Sequence, residues 1–112
     1  MSVRSASAPF GGRTRTRVLL LLRLLGRSHP RELARVLDQS LSSVQRALHS
    51  LERDALVVAQ SVGRTRQFQL NPAYFARLEL TAYLTRLADA DRDLNTRAEA
   101  VRRRPRLTGK PL

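Results

Sequence analysis

The sequence predicts a mainly α-helical domain that carries one small β-hairpin. Two observations support this fold class. Leucines recur at helical spacing through most of the chain, and the pattern changes to β-branched and alternating residues just after Leu56. The chain has 112 residues, the size of one ordinary domain. We therefore expect a single core, and we do not expect an enzyme with a cleft between two domains.

The first predicted helix runs from about Arg15 to Leu25 and ends at Gly26, because glycine readily takes the left-handed backbone that closes a helix. Its leucines cover more than one face, so we expect it to be buried on several sides. A membrane span needs about 20 apolar residues. The apolar run here is shorter and contains Arg23, which favours a buried helix over a membrane span or a signal peptide.

Two short helices joined by a tight turn are predicted next. Pro30 and Glu32 suit the first turn of the second helix, which ends near Asp38, a residue type that tolerates a left-handed turn. Ser40 is the predicted N-cap of a third helix over residues 41–54. The apolar face of that helix carries Leu41, Val44, Leu48 and Leu51, and its polar face carries Ser42, Ser43, Gln45, Arg46, His49 and Arg53.

The segments LVVAQSV and RQFQLN predict the two strands of a hairpin, with residues 63–65 between them. Phe68 and Leu70 share one face of the second strand, which is the face expected against the core. Arg64 and Arg66 are expected at the tip.

A fourth helix is predicted from about Ala73 to Val101, with its firm part ending near Asp89. Leu80, Leu84 and Leu87 continue an alternating spacing of four and three residues, and we interpret them as a dimerisation surface. Packing of this helix onto the first helix of the same chain is the alternative. The predicted core takes its aromatic residues from Phe68, Phe75 and Tyr83.

The charge of the chain predicts a polyanionic partner. Lys and Arg number 21 against 9 for Asp and Glu, giving a net charge of +12. The arginines concentrate in residues 1–17, in the hairpin and in residues 102–112, whereas the third helix is neutral. No cysteine and only two histidines are present, so we expect no metal site and no cofactor. No nucleophile motif occurs, and we do not expect an enzyme.

Four segments read PFGGRTR, RELARVL, SLSSVQRALHSLE and RTRQFQLNP, and they fall in the order helix, short helix, turn, helix, hairpin. From Phe10 to about Leu87 this arrangement resembles the ArsR/MarR-type winged-helix transcriptional regulators. Asp38 and Ala55 stand where those families usually have glycine. A left-handed Ala55 would cost roughly 1 kcal/mol.

The resemblance implies a winged helix-turn-helix domain over residues 14–72, with an added C-terminal dimerisation helix over residues 73–101. A flexible basic arm over residues 1–13 precedes it, and a basic disordered tail over residues 102–112 follows it. The implied protein is a sequence-specific double-stranded DNA-binding regulator, a repressor, acting as a homodimer in the cytoplasm at the nucleoid.

In this interpretation the third helix enters the major groove, and the hairpin wing contacts phosphate or the minor groove. Arg46 is the leading candidate for base readout, because an arginine can bond O6 and N7 of guanine together. The candidate DNA-binding residues are Arg31, Ser42, Ser43, Gln45, Arg46, His49, Arg64, Thr65 and Arg66, with Arg13 and Arg15 as phosphate contacts of the arm.

Two other interpretations remain open. The domain can serve as a winged-helix protein-protein interaction module, or as a non-specific nucleic-acid-binding architectural or accessory protein. An RNA or single-strand binder is disfavoured, because aromatic residues make up only 4% of the chain and the predicted core uses most of them.

Overall fold

The computed structural model describes residues 9–103, which form a mainly helical domain with one small antiparallel sheet. Of the flexible arm expected over residues 1–13, residues 1–8 lie outside the described residues and Arg13 is helical. Of the disordered tail expected over residues 102–112, Arg102 and Arg103 are helical and the rest lies outside the described residues. The helices are α1 (Arg13–Leu25), α2 (Pro30–Leu37), α3 (Leu41–Arg53), α4 (Arg77–Asp89) and α5 (Arg92–Arg103), and the strands are β1 (Arg27–Ser28), β2 (Val57–Val62) and β3 (Thr65–Leu70).

Helix α1 lies at the centre of the molecule. Five consecutive side chains, from Val18 to Leu22, are buried, and α1 packs against all four other helices and against β3. The prediction of a helix buried on several sides is confirmed. The helix ends at Gly26, which has a φ of 87° and donates its N–H to the carbonyl of Leu22. Within residues 9–103, no helix is long and apolar enough to cross a membrane.

The turn between α2 and α3 forms as its residue types predict. Asp38 has a left-handed backbone with a φ of 57° and donates its N–H to the carbonyls of Ala34 and Arg35. Ser40 Oγ then accepts a hydrogen bond from the N–H of Ser43 at 3.1 Å, which caps α3. The two helices are therefore held in a fixed relation by local hydrogen bonds.

The end of α3 is also left-handed. Ala55 has a φ of 66°, and the N–H of Leu56 returns to the carbonyl of Leu51 at 2.9 Å. The side-chain amide of Asn71 donates to the carbonyl of Ala55 at 2.9 Å. The left-handed alanine expected from the sequence is therefore present, and it is held by the segment that follows β3.

The sheet contains one strand more than the sequence predicts. Strands β2 and β3 pair from Val57 opposite Leu70 to Val62 opposite Thr65, so Gly63 and Arg64 form the turn. Strand β1 pairs with the other edge of β3. It has only two residues, which is too short for a periodic pattern to reveal it.

The prediction of one C-terminal helix from Ala73 to Val101 is wrong. Residues 72–76 form turns, and the helical region is divided at Ala90 and Asp91 into α4 and α5. The carboxylate of Asp91 accepts the N–H of Leu94 at 3.0 Å, so a new N-cap begins α5 there. The division lets α5 fold back against α1, where Leu94, Ala98 and Val101 are buried.

The interpretation of Leu80, Leu84 and Leu87 as a dimerisation surface is corrected. Leu80 and Leu84 are buried inside this chain, and Leu87 is partly buried against the same core. Because α4 packs on α1, these side chains contact the first helix of the same chain, as the alternative interpretation expected.

The aromatic core is also smaller than predicted. Phe68 is buried, but Phe75 is 92% exposed and Tyr83 is 46% exposed. The buried face of α4 is formed by Leu80, Leu84 and Ala88, so Tyr83 lies away from it, and Phe75 lies in the turns that precede the helix.

Candidate nucleic-acid interface

One face of α3 is a stripe of exposed polar side chains, and the opposite face is buried. The stripe consists of Ser42, Gln45, Arg46 and His49. Their spacing of three, four and seven residues places them on one side of the helix. Val44, Ala47, Leu48 and Leu51 anchor the opposite side in the core. The candidate side chains are therefore presented to solvent by a rigidly packed helix.

Within residues 9–103, Gln45, Arg46 and His49 make no side-chain hydrogen bond, so their polar groups are available to a ligand. Ser43 differs from them. It is half-buried, and its hydroxyl accepts a hydrogen bond from Ser40 Oγ at 2.9 Å. Ser43 therefore completes the start of α3, while the other three residues face outward.

The hairpin is attached to α3 by Arg66. Its Nη2 forms an ion pair with Glu52 Oε2 at 3.1 Å, and its guanidinium carbon lies 5.2 Å from the centroid of the Phe68 ring. Arg64 and Thr65 are exposed at the turn. Arg66 thus acts mainly between the elements, and Arg64 is the hairpin arginine that projects into solvent.

A depression of about 180 Å³ lies between α3, the start of α2 and the hairpin. Arg31, exposed on the first turn of α2, directly follows Pro30, which lines the depression. The depression is lined by Pro30, Gln45, Leu48, His49, Glu52, Arg66 and Phe68. The exposed stripe, the base of the hairpin and the start of α2 therefore form one continuous surface, which we call the α3 surface.

The two arm arginines are placed differently. Arg13 is exposed at the start of α1. Arg15 is only 19% exposed, and its three guanidinium nitrogens are all used: Nε donates to the carbonyl of Phe10, Nη1 to Ser50 Oγ and Nη2 to Asp54 Oδ2. Arg15 is therefore a structural link to the end of α3, and its assignment as a phosphate contact is corrected. The partners in α3 are 35 and 39 residues away, beyond the reach of local sequence patterns.

Comparison with known proteins adds nothing to this geometry. No family model, curated protein or solved structure matches the chain. In the part of the chain that the structure describes, no group of three or more His, Cys, Asp or Glu residues is arranged to hold a metal ion.

The ion pairs change the electrostatics of α3 from what its own composition predicts. By sequence, Glu52 and Asp54 balance Arg46 and Arg53. In the structure, Glu52 is paired with Arg66 and Asp54 with Arg15, both from other elements. Arg46 and Arg53 are exposed on the same helix. The region around α3 consequently carries an excess of positive charge, which sequence reasoning assigned only to the arms and the hairpin.

Sequence reasoning also missed a second group of arginines, away from the exposed stripe. Arg17 on α1 and Arg97 on α5 line one cavity together with Arg13. The two helices are far apart in sequence, and only the fold brings these side chains together.

Proposed function

We propose that this protein is a sequence-specific, double-stranded DNA-binding transcriptional regulator with a winged helix-turn-helix architecture, in which α2 and α3 are the helix-turn-helix and the β2–β3 hairpin is the wing. The observation that carries the proposal is the α3 surface. An outward polar stripe lies on a helix with a buried opposite face, and it adjoins a basic hairpin that is fixed to the same helix. The family resemblance favours a repressor that acts in the cytoplasm, at the nucleoid.

The dimensions of α3 suit major-groove readout. A helix of 13 residues is about 20 Å long, and the major groove of B-DNA admits an α-helix. Arg46 can then donate to O6 and N7 of a guanine, and Gln45 can pair with an adenine. Ser42, on the first turn, is suited to a phosphate or a base edge.

The wing supplies contacts of a different kind. Arg64 is exposed at the turn of the hairpin and makes no hydrogen bond within residues 9–103. A charged side chain there is suited to backbone phosphate or to the minor groove, where contacts add affinity with little discrimination among sequences. Arg66 links the wing to α3 through its ion pair with Glu52.

The test is a selection from random duplex DNA, followed by titration of the enriched duplex and of a scrambled duplex at several salt concentrations. We expect an enriched palindrome that binds on the order of a thousandfold tighter than the scramble. Binding that depends steeply on salt but enriches no motif would contradict sequence-specific regulation and would favour an accessory nucleic-acid-binding role. No binding to any duplex would favour the protein-protein interaction module.

We also propose a homodimer, through a different surface from the one the leucine spacing indicated. Leu78 on α4 is 71% exposed, and Phe75, just before α4, and Tyr83, on α4, are also exposed. Large apolar side chains grouped on the surface often mark an interface between proteins. A second copy of the chain is the occupant that suits a reader of palindromic DNA.

The charges on α4 support pairing with a second copy. Its exposed face carries Glu79 near the start and Arg86 near the end. When two copies of α4 pack antiparallel about a two-fold axis near Tyr83, Glu79 of each copy faces Arg86 of the other. Both contacts are between opposite charges, so the surface is complementary to itself.

A further inference from the structure

A cavity of about 350 Å³ lies where the start of α1, the turn after α2 and the middle of α5 meet. Three arginines line it: Arg13 and Arg17, one helical turn apart on α1, and Arg97 on α5. The one acidic residue in its lining is Asp38, so the cavity is positively charged. Thr14, Leu37 and Gln39 complete the lining.

Arg17 has an unused donor in this region. Its Nε is buried and has no hydrogen-bond partner within residues 9–103. Leaving a buried charged donor without a partner costs free energy, so such groups are rare and a bound anion is one way to satisfy them. Arg97 is oriented by its neighbours, since Nη1 donates to the carbonyl of Val36 at 2.6 Å and Nε pairs with Asp93 at 3.1 Å. The guanidinium of Arg97 is thus held in place, and that of Arg17 has a donor without a partner.

The start of α1 adds to the positive potential. Gly12 occupies the N-cap position, and no side chain caps the helix there. The first turn contains no acidic residue that would offset the positive end of the helix dipole. The free N–H groups of a helix start are favourable for an anion, and for phosphate in particular.

We propose that this cavity binds a phosphate group, held by Arg13, Arg17 and Arg97 beside the start of α1. Planar guanidinium groups match the oxygens of phosphate in paired hydrogen bonds, which a single lysine ammonium cannot do. The assignment needs only the cavity and its arginines, and it is independent of the α3 surface.

The phosphate that suits the cavity best is one of the DNA backbone, and this part of the inference rests on the proposed function. Gln39 lines the cavity and directly precedes Ser40, the N-cap of α3. A bound phosphate therefore lies next to the end of α3 that leads into the groove. It would fix how deeply α3 enters, in the way that backbone contacts set the register of a protein on the duplex.

The first experiment uses inorganic phosphate and no DNA. The melting temperatures of the full chain, of Arg17→Gln and of Arg92→Gln are measured against phosphate concentration at constant ionic strength. Arg92 is exposed on α5, does not line the cavity and belongs to neither the α3 surface nor the proposed dimer surface, so its variant is matched in charge. At ten times the dissociation constant, we expect a rise of roughly 5–10 °C for the full chain and Arg92→Gln.

Arg17→Gln should need at least about tenfold more phosphate for the same rise, because paired charged hydrogen bonds are lost. The same response in all three proteins, or no response in the full chain, would overturn the phosphate site. Arg17→Lys keeps the charge and serves if Arg17→Gln does not fold. It should bind phosphate severalfold more weakly than the full chain, and unchanged affinity would overturn the proposal.

The second experiment identifies the source of the phosphate. With duplex DNA, Arg17→Gln should weaken binding to every sequence alike and lower the slope of log K against log salt by about 1 relative to Arg92→Gln. If phosphate binding is lost while duplex binding equals that of Arg92→Gln, the DNA assignment is overturned and the cavity serves a small phosphorylated molecule. If the full chain binds phosphate but no duplex, the proposed function fails and the phosphate site stands.

Discussion

Arg46 and Arg64 are both exposed arginines, but they stand at different places on the proposed DNA-binding surface. Arg46 projects from the centre of the α3 stripe, and Arg64 lies at the turn of the hairpin. Under the proposed function, the first position faces base edges and the second faces the DNA backbone. Substituting Arg46 should therefore reduce DNA affinity by an amount that depends on the DNA sequence, whereas substituting Arg64 should reduce it equally for all sequences.

Arg46→Ala should cost about 1–3 kcal/mol of binding free energy on the preferred duplex and should relax its sequence preference. Arg64→Ala should weaken binding to the preferred and scrambled duplexes by the same factor. Fluorescence anisotropy titrations of both variants on both duplexes check this. Equal losses on every sequence for Arg46→Ala would show that its contact is to phosphate.

Ala55 holds a backbone conformation that costs an alanine free energy and costs a glycine little. Ala55→Gly should raise the free energy of unfolding by about 1 kcal/mol, which corresponds to a melting temperature roughly 4–8 °C higher. Asp38→Gly is the matched comparison. Its φ is also positive, but aspartate tolerates that conformation, so its gain should be smaller. A melting temperature that is unchanged or lower in Ala55→Gly would contradict the left-handed assignment.

At the scale of elements, the junction between α4 and α5 depends on a few hydrogen bonds. Asp91 accepts the N–H of Leu94, and the side chain of Asn95 donates to the carbonyls of Ala88 and Asp91. These bonds replace the helical ones that are lost at Ala90. They let two helices take the place of the single one that the leucine spacing indicated.

Asp91→Ala should lower the free energy of unfolding by about 0.5–2 kcal/mol, because an N-cap is lost at a junction that is partly buried. Urea denaturation followed by circular dichroism measures the change. Asp89→Ala removes the same charge from an exposed position at the end of α4, and it should have little effect. If the two variants behave alike, the effect is one of charge and the cap contributes nothing.

The sequence predicted those elements whose signals are local. The Asp38 turn, the Ser40 cap and the hairpin all depend on residues within a few positions of each other, and they form where expected. Strand β1 exists only because Arg27 and Ser28 meet β3 about 40 residues later. No local pattern reports such a pairing.

For the same reason, only part of the candidate site could be predicted from the sequence. The α3 stripe follows from helical spacing, so its members could be found. What an arginine contacts depends on the rest of the fold. The sequence did not show that the guanidinium of Arg15 bonds residues at the end of α3, or that Arg17 and Arg97 share a cavity. Likewise, the spacing of Leu80 and Leu84 identifies an apolar face without identifying the surface it packs on.

At the scale of the whole molecule, the proposed dimer makes a prediction about charge. Glu79→Arg and Arg86→Glu should each weaken dimerisation, because each places like charges opposite one another across the two-fold axis. The double variant should restore it. Sedimentation equilibrium at micromolar concentration measures all three proteins. A full chain that sediments as a monomer would contradict the dimer, and a double variant as weak as the single ones would contradict the antiparallel arrangement of α4.

The central position of α1 has a consequence for how the molecule opens. Because α1 contacts every other helix and β3, its amides between Val18 and Leu22 are enclosed on several sides. We expect their hydrogen exchange to require unfolding of the whole domain, so that their exchange rates report the global free energy of unfolding. The hairpin turn at Gly63 and Arg64 is exposed, so its amides exchange through local opening. The proposed DNA-binding surface should thus combine a slowly exchanging base with a rapidly exchanging tip.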